Sequence, residues 1–168
     1  MESTKTRILK KLLETDGYLS GQDLCEQLGV SRTAVWKYMK QLKEEGYEIE
    51  AVQNKGYCLK DVPDVLGESE IKSRLHTRWA GQTLYYYDEI DSTNTQIKRL
   101  AEEDAPHGTL AVADYQSRGK GRRGRAWDSP HGSAIYMSIL FRPEIRPDRA
   151  SMLTLVIGLS VTQAIRSN

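Results

Sequence analysis

The chain has 168 residues, a formal net charge of +1 and 28% charged residues. It is long enough for one large or two small domains, and it has no global basic field to draw in a polyanion, so any such binding must come from a local patch. Two cysteines and three histidines show no metal-ligand spacing and no disulfide framework, which points to a reducing, cytoplasmic setting and excludes a metal centre from the expectations. The longest apolar stretch, residues 152–161, is interrupted by Thr154 and Ser160 and falls short of the roughly 20 residues that cross a bilayer, so no membrane role is expected.

Residues 3–15 carry Ile8, Leu9, Leu12 and Leu13 at helical spacing, and Asp16-Gly17 stops that helix. Ser20 caps a second helix containing Leu24 and Leu28, which Gly29 ends; Ser31 caps a third, residues 32–45, which Gly46 ends. The period then changes to two. Tyr47, Ile49 and Ala51 alternate with Glu48, Glu50 and Val52, Asn54-Lys55-Gly56 makes a turn, and Tyr57-Cys58-Leu59 returns. Three helices followed by a hairpin predict a winged helix-turn-helix over residues 1–62.

Residues 63–67 read as a linker. Beyond it the sequence predicts a short helix (68–75), a tyrosine-rich strand (83–90), a helix (91–103), a strand (108–115), a glycine- and arginine-rich loop (117–125), a strand (133–142) and an apolar, buried helix (149–166). Alternating strands and helices imply an α/β or α+β unit with a mixed sheet over residues 68–168.

In the third helix Val35, Met39 and Leu42 recur at core spacing, while Arg32, Thr33, Trp36, Lys37 and Lys40 share the opposite side. Positive charge is thus concentrated on the helix that would enter a major groove, with Ser31, Arg32 and Thr33 at the end that reaches base edges. Lys37 and Lys40 suit phosphates, and Lys55 at the wing tip suits a phosphate or the minor groove. The competing reading is a solvated basic face, which the caps, the tight turn and the following wing disfavour.

The loop places Arg118, Lys120, Arg122, Arg123 and Arg125 among Gly119, Gly121 and Gly124 in nine residues. Glycine lets backbone N–H groups approach an anion, and guanidinium offers forked donors to phosphate. The Gly-Lys-Ser/Thr ending of a phosphate loop is missing, and no helix follows as a dinucleotide fingerprint requires. The loop alone leaves nucleotide and nucleic acid both open.

Its context is more specific. Asp91-Ser92-Thr93-Asn94 follows a strand and opens a helix, Asp114-Tyr115-Gln116 leads into the loop, and Ala126-Trp127 then Ser129-Pro130-His131-Gly132 leave it. Together with Gly29 to Lys37 and Asn54 to Tyr57, these residues resemble the biotin–protein ligases in their bifunctional form, which also repress biotin genes. The resemblance runs along essentially the whole chain. It implies activation of biotin by ATP, with Mg2+ accompanying the nucleotide, to biotinyl-5′-adenylate, and transfer of the biotinyl group to a lysine of a biotin carboxyl carrier protein. It also implies operator DNA as a partner and a homodimer on adenylate binding.

Carried over residue by residue, Ser92, Thr93, Asn94 and Gln116 would line the biotin site. Gly119, Lys120, Gly121 and Arg122 would hold the adenylate, Lys120 and Arg122 would supply catalytic positive charge, and Trp127 would help close the pocket. The resemblance further implies a loop that orders over ligand. Lys120 stands where the family commonly has arginine, which keeps the charge and loses the bidentate fork. The family's Lys-Trp-Pro-Asn-Asp segment, which supplies a catalytic lysine, and its small C-terminal domain do not occur in these 168 residues, so the expectation is a truncated chain holding part of the active site. A biotin-sensing regulator without ligase activity and a lipoate-handling acyltransferase are the alternatives.

Overall fold

A computed structural model describes residues 3–167; positions 1, 2 and 168, at the outer edges of the two expected domains, lie outside the described residues. Helices α1 (Thr4–Glu14), α2 (Gly21–Leu28) and α3 (Arg32–Glu44) each begin at a serine whose hydroxyl accepts first-turn N–H groups. Ser3 accepts from Thr6, Ser20 from Gln22 and Asp23, and Ser31 from Ala34. Such caps satisfy donors that a helix start otherwise leaves without partners. Gly29 ends α2 at φ 66°, a left-handed conformation that costs glycine little.

The three helices close over Ile8, Leu9, Leu12, Leu24, Val35, Met39 and Leu42, all buried. Each such side chain contributes about 1.5–3 kcal/mol relative to exposure. Strands β1 (Glu48–Val52) and β2 (Gly56–Asp61) form the antiparallel wing, and Tyr47 and Ile49 turn inward to complete that core. The wing is tied back to the helices where Leu19 and Tyr57 exchange backbone hydrogen bonds at 2.7 and 2.9 Å. A Cβ on Gly56 would lie 2.1 Å from the Leu19 carbonyl oxygen, and φ there is 112°, so this position requires glycine.

Helix α4 (Glu68–Ser73) follows the linker, then β3 (Leu84–Ile90), α5 (Thr93–Glu102) and β4 (Leu110–Gln116). Two short strands, β5 (Gly119–Lys120) and β6 (Ala126–Trp127), then β7 (Tyr136–Ile139) and α6 (Met152–Arg166), complete the chain. The sheet order is β3-β4-β7, with β3 parallel to β4 and β4 antiparallel to β7, so the expected mixed sheet is present. Central β4 is covered on both faces. Ala111 meets Ile97, Leu100 and Ala105 on the α5 side, while Leu110 and Val112 meet Leu84, with Leu66, Ile71 and Ile139 packed against them.

Two sequence expectations change. The stretch expected as a glycine- and arginine-rich loop is closed into a small hairpin, because Gly119 pairs with Trp127 and Lys120 with Ala126. The apolar helix is not buried: Leu155 is 75% exposed, and Val156, Leu159, Val161 and Ile165 are also open. Hydrophobicity states what α6 favours burying, but among the described residues nothing packs over these side chains.

Candidate functional site

The sequence-selected residues of α3 lie on one open side of the head. Arg32, Thr33, Trp36, Lys37 and Lys40 are exposed, Trp36 by 60%, while Val35, Met39 and Leu42 are buried behind them. Ser31 is occupied as the cap of α3, its Oγ accepting from the Ala34 N–H at 3.2 Å. Arg32 is held to α2, its Nη2 donating to Gln22 Oε1 at 2.8 Å. The Lys40–Glu44 ion pair, at 3.6 Å with both side chains more than 60% exposed, opens to phosphate at little cost. Lys55 projects at the wing tip, its ammonium 5.6 Å from the centre of the Tyr18 ring.

The second group of residues gathers where β3 and β4 end. Ser92 precedes α5 without capping it, and the carboxylate of Asp91 takes the Ser92 N–H at 2.7 Å. The first N–H of α5, on Thr93, is capped from a distant strand: Gln116 Oε1 accepts it at 2.8 Å and accepts the Thr93 hydroxyl at 3.1 Å. Gln116 Nε2 donates to Ser129 Oγ at 2.9 Å, and Thr93 Oγ1 lies 3.0 Å from Ser138 Oγ. Thr93, Gln116 and Ser129 are all buried. Ser92 is only 1% exposed, and among the described residues its Oγ has no hydrogen-bond partner. An orphaned buried hydroxyl costs about 1–3 kcal/mol. Its presence beside this network marks a place where a polar ligand atom would complete the bonding. Asn94, on the first turn of α5, is exposed.

The hairpin is rooted on this junction. The Ser117 N–H donates to the Ile90 carbonyl at 2.9 Å, and the Arg118 N–H to the Asp91 carbonyl at 2.8 Å. Arg99 clamps Asp91 through both oxygens, Nη2 to Oδ2 at 2.7 Å and Nη1 to Oδ1 at 3.2 Å. This bond from Arg99, the Ser92 N–H and the nearby charges of Arg99 and Lys120 hold the Asp91 carboxyl below its usual range. Glycine at 119 is needed for contact, since a Cβ would lie 2.3 Å from the Trp127 carbonyl oxygen and 2.8 Å from Ser129 Oγ. Gly121 donates its N–H to the Arg125 carbonyl at 2.8 Å, closing the hairpin. The side chains of Lys120 and Arg122 stand exposed, and among the described residues none of the five basic groups forms an ion pair. Trp127 is 61% exposed on β6. Ser129, Ser138 and the Asp91–Arg99 clamp were not singled out as site residues from sequence; Ser129-Pro130 stood only within the segment leaving the loop.

Residues 4–58 match the HTH domain family, and residues 86–168 match the biotin/lipoate A/B protein ligase family. The bifunctional ligase/repressor BirA of Bacillus spizizenii is 45% identical over 169 residues, covering 99% of this chain and 52% of the relative. Along nearly its whole length this chain is similar to the first half of bifunctional ligase/repressors. The Escherichia coli ligase/repressor is 36% identical over 156 residues, covering 92% of this chain and 47% of the relative. The chain therefore spans about half the length of the relatives it matches. A solved biotin protein ligase from Aquifex aeolicus, in complex with biotin and ATP, is 38% identical and covers 51% of this chain and 35% of its own, with a TM-score of 0.44. Among the described residues no helix is long and apolar enough to cross a membrane, and no group of three or more His, Cys, Asp or Glu could hold a metal ion.

Proposed function

We propose that this chain supplies the DNA-reading head and the biotin- and adenylate-binding residues of a cytoplasmic biotin–protein ligase and repressor of biotin genes, with residues 1–62 as head, 63–67 as linker and 68–168 as part of the ligase domain. The observation that carries this reading is the Gln116 carboxamide, which brings Thr93 and Ser129 together beside the unpartnered hydroxyl of Ser92. Ser92, Thr93, Asn94 and Gln116 then face the ureido ring, whose donors and acceptors hydroxyl and amide groups complement. A biotin carboxylate oxygen attacks the α-phosphorus of ATP, the bond to the pyrophosphate oxygen breaks, and Mg2+ travels with the nucleotide. Lys120 and Arg122 stabilise the charge that gathers on the phosphoryl oxygens, Gly119 and Gly121 allow close approach, and Trp127 covers the adenylate. The carrier-protein lysine amine then attacks the acyl carbon, AMP leaves and the amine loses its proton.

Mixing the protein with biotin, magnesium and ATP labelled on the α-phosphate tests this. Labelled biotinyl-adenylate bound to the protein is expected. Biotin held without adenylate would assign a sensor, and no affinity for biotin would overturn the reading.

The head reads operator DNA through Arg32, Thr33, Trp36, Lys37, Lys40 and Lys55, with Ser31 setting the start of the helix, and a homodimer formed on adenylate binding spans two half-sites. Lys37→Glu with Lys40→Glu abolishes duplex retention at low salt. Each lost phosphate contact also lowers the salt slope by roughly 0.9. Unchanged retention in a gel-shift titration would remove the head's role.

A further inference from the structure

The orientation of the Gln116 carboxamide is fixed by its neighbours. The Thr93 backbone N–H can only donate, so the group 2.8 Å from it is the Gln116 carbonyl oxygen. The amide nitrogen therefore faces Ser129 Oγ at 2.9 Å, and that oxygen must accept. The proton of Ser129 is then directed to the Trp127 carbonyl, 3.4 Å away. On the other side the Thr93 hydroxyl gives its proton to Gln116 Oε1, so Ser138 donates to Thr93. The protons run one way, from β7 through the start of α5 and the end of β4 to the exit strand of the basic hairpin. Ser129 is the link between the last two: its backbone carbonyl also accepts the Gln116 N–H at 3.2 Å, and it is 1% exposed directly beneath Gly119.

We propose that Ser129 is a positioning residue for the biotin site: it anchors the amide nitrogen of the Gln116 carboxamide that Thr93 orients, and joins that carboxamide to the exit strand of the basic hairpin. The inference rests on the biotin reading above. Without the serine hydroxyl, Gln116 keeps its Thr93 bonds through Oε1 but loses the acceptor on its nitrogen. The carboxamide is then held at one end only, and the hairpin exit is released from the group that would read the ligand. One lost buried hydrogen bond of this kind corresponds to about a tenfold change in affinity.

The test is a double-mutant cycle on the full chain, with biotin binding read by calorimetry well below the unfolding temperature. Ser129→Ala weakens biotin about tenfold, Ser129→Cys, which keeps the size and a weak acceptor, weakens it less, and Gln116→Ala weakens it at least as much as Ser129→Ala. If Ser129 acts through Gln116, the double variant is no weaker than Gln116→Ala alone, whereas a purely structural role gives additive losses. Additive losses, or full affinity in Ser129→Ala, would overturn the inference. A second readout needs no ligand. In the free protein the Gln116 side-chain amide protons exchange slowly with water by NMR, and Ser129→Ala makes them exchange fast. Equal exchange in both would also overturn it. A wild-type chain that binds no biotin would instead defeat the proposed function, and the exchange measurement would still decide the role of Ser129.

Discussion

At the residue scale, the junction before α5 is held by charge. Asp91 is kept below its usual carboxylate range chiefly by the hydrogen bond from Arg99, and Asp114 by the bond from His131, whose Nδ1 lies 2.8 Å away. A carboxyl that binds its proton less readily in the folded state adds stability above its ordinary pKa of about 4, and that stability is lost as pH falls through the lowered folded value. Asp91→Asn therefore lowers the urea midpoint at pH 6 and lowers it less, or not at all, at pH 3. An equal loss at both pH values would show that the clamp contributes nothing through charge. The sequence identified Ser92, Thr93, Asn94 and Gln116 as a group but not their partners. Gln116 caps a helix 23 positions away and bonds a serine 13 positions on, and neither separation follows a helical or strand period. Such long-range satisfaction of polar groups becomes visible only when the strands are placed side by side.

Elements were more legible, because their signals are local. Ser20, Gly29 and Ser31 mark the helix boundaries in the sequence and mark them again in the structure, since a cap acts within three residues of itself. The wing was legible through alternation and the Asn54-Lys55-Gly56 turn, but the reason for glycine at 56 was not. The turn asks for a positive φ, and Leu19, nearly forty positions earlier, also leaves no room for a side chain. Gly56→Ala combines left-handed strain with a backbone clash and is expected to destabilise the head by about 2–3 kcal/mol or more. Thermal unfolding followed by circular dichroism measures this, and a loss below about 1 kcal/mol would mean that the bridge between Leu19 and Tyr57 moves aside freely. The strand pairing at the base of the loop at 117–125 was not legible because it covers only two residues per strand, too few for an alternation to register.

At the scale of the whole molecule, neither periodicity nor motif says how the head is attached to the sheet. The short helix α4 makes the attachment. Its Ile71 packs with the sheet cluster around Leu84, Leu110 and Val112, while the helix as a whole lies against α1. Glu70 accepts a hydrogen bond from the hydroxyl of Tyr47, a residue of the head's own core, and a second from Arg74 Nε one turn on. Burial first, and then the Glu70 bond, raise the Tyr47 hydroxyl above its usual range, so it remains a neutral donor. Tyr47→Phe leaves the ring and its packing in place and removes only that donor. A hydrogen bond to a charged group is worth about 1.5–3 kcal/mol. The expected result is faster amide exchange along residues 69–74, with the exchange of Ile8, Leu9 and Leu42 in the head core unchanged. If α4 exchanges as slowly as before, the apolar contacts of Ile71 and the packing of α1 alone fix the head. Slower association with DNA in the same variant, with its three helices intact, would show that the placement of the head, and not only its fold, prepares it to meet a duplex.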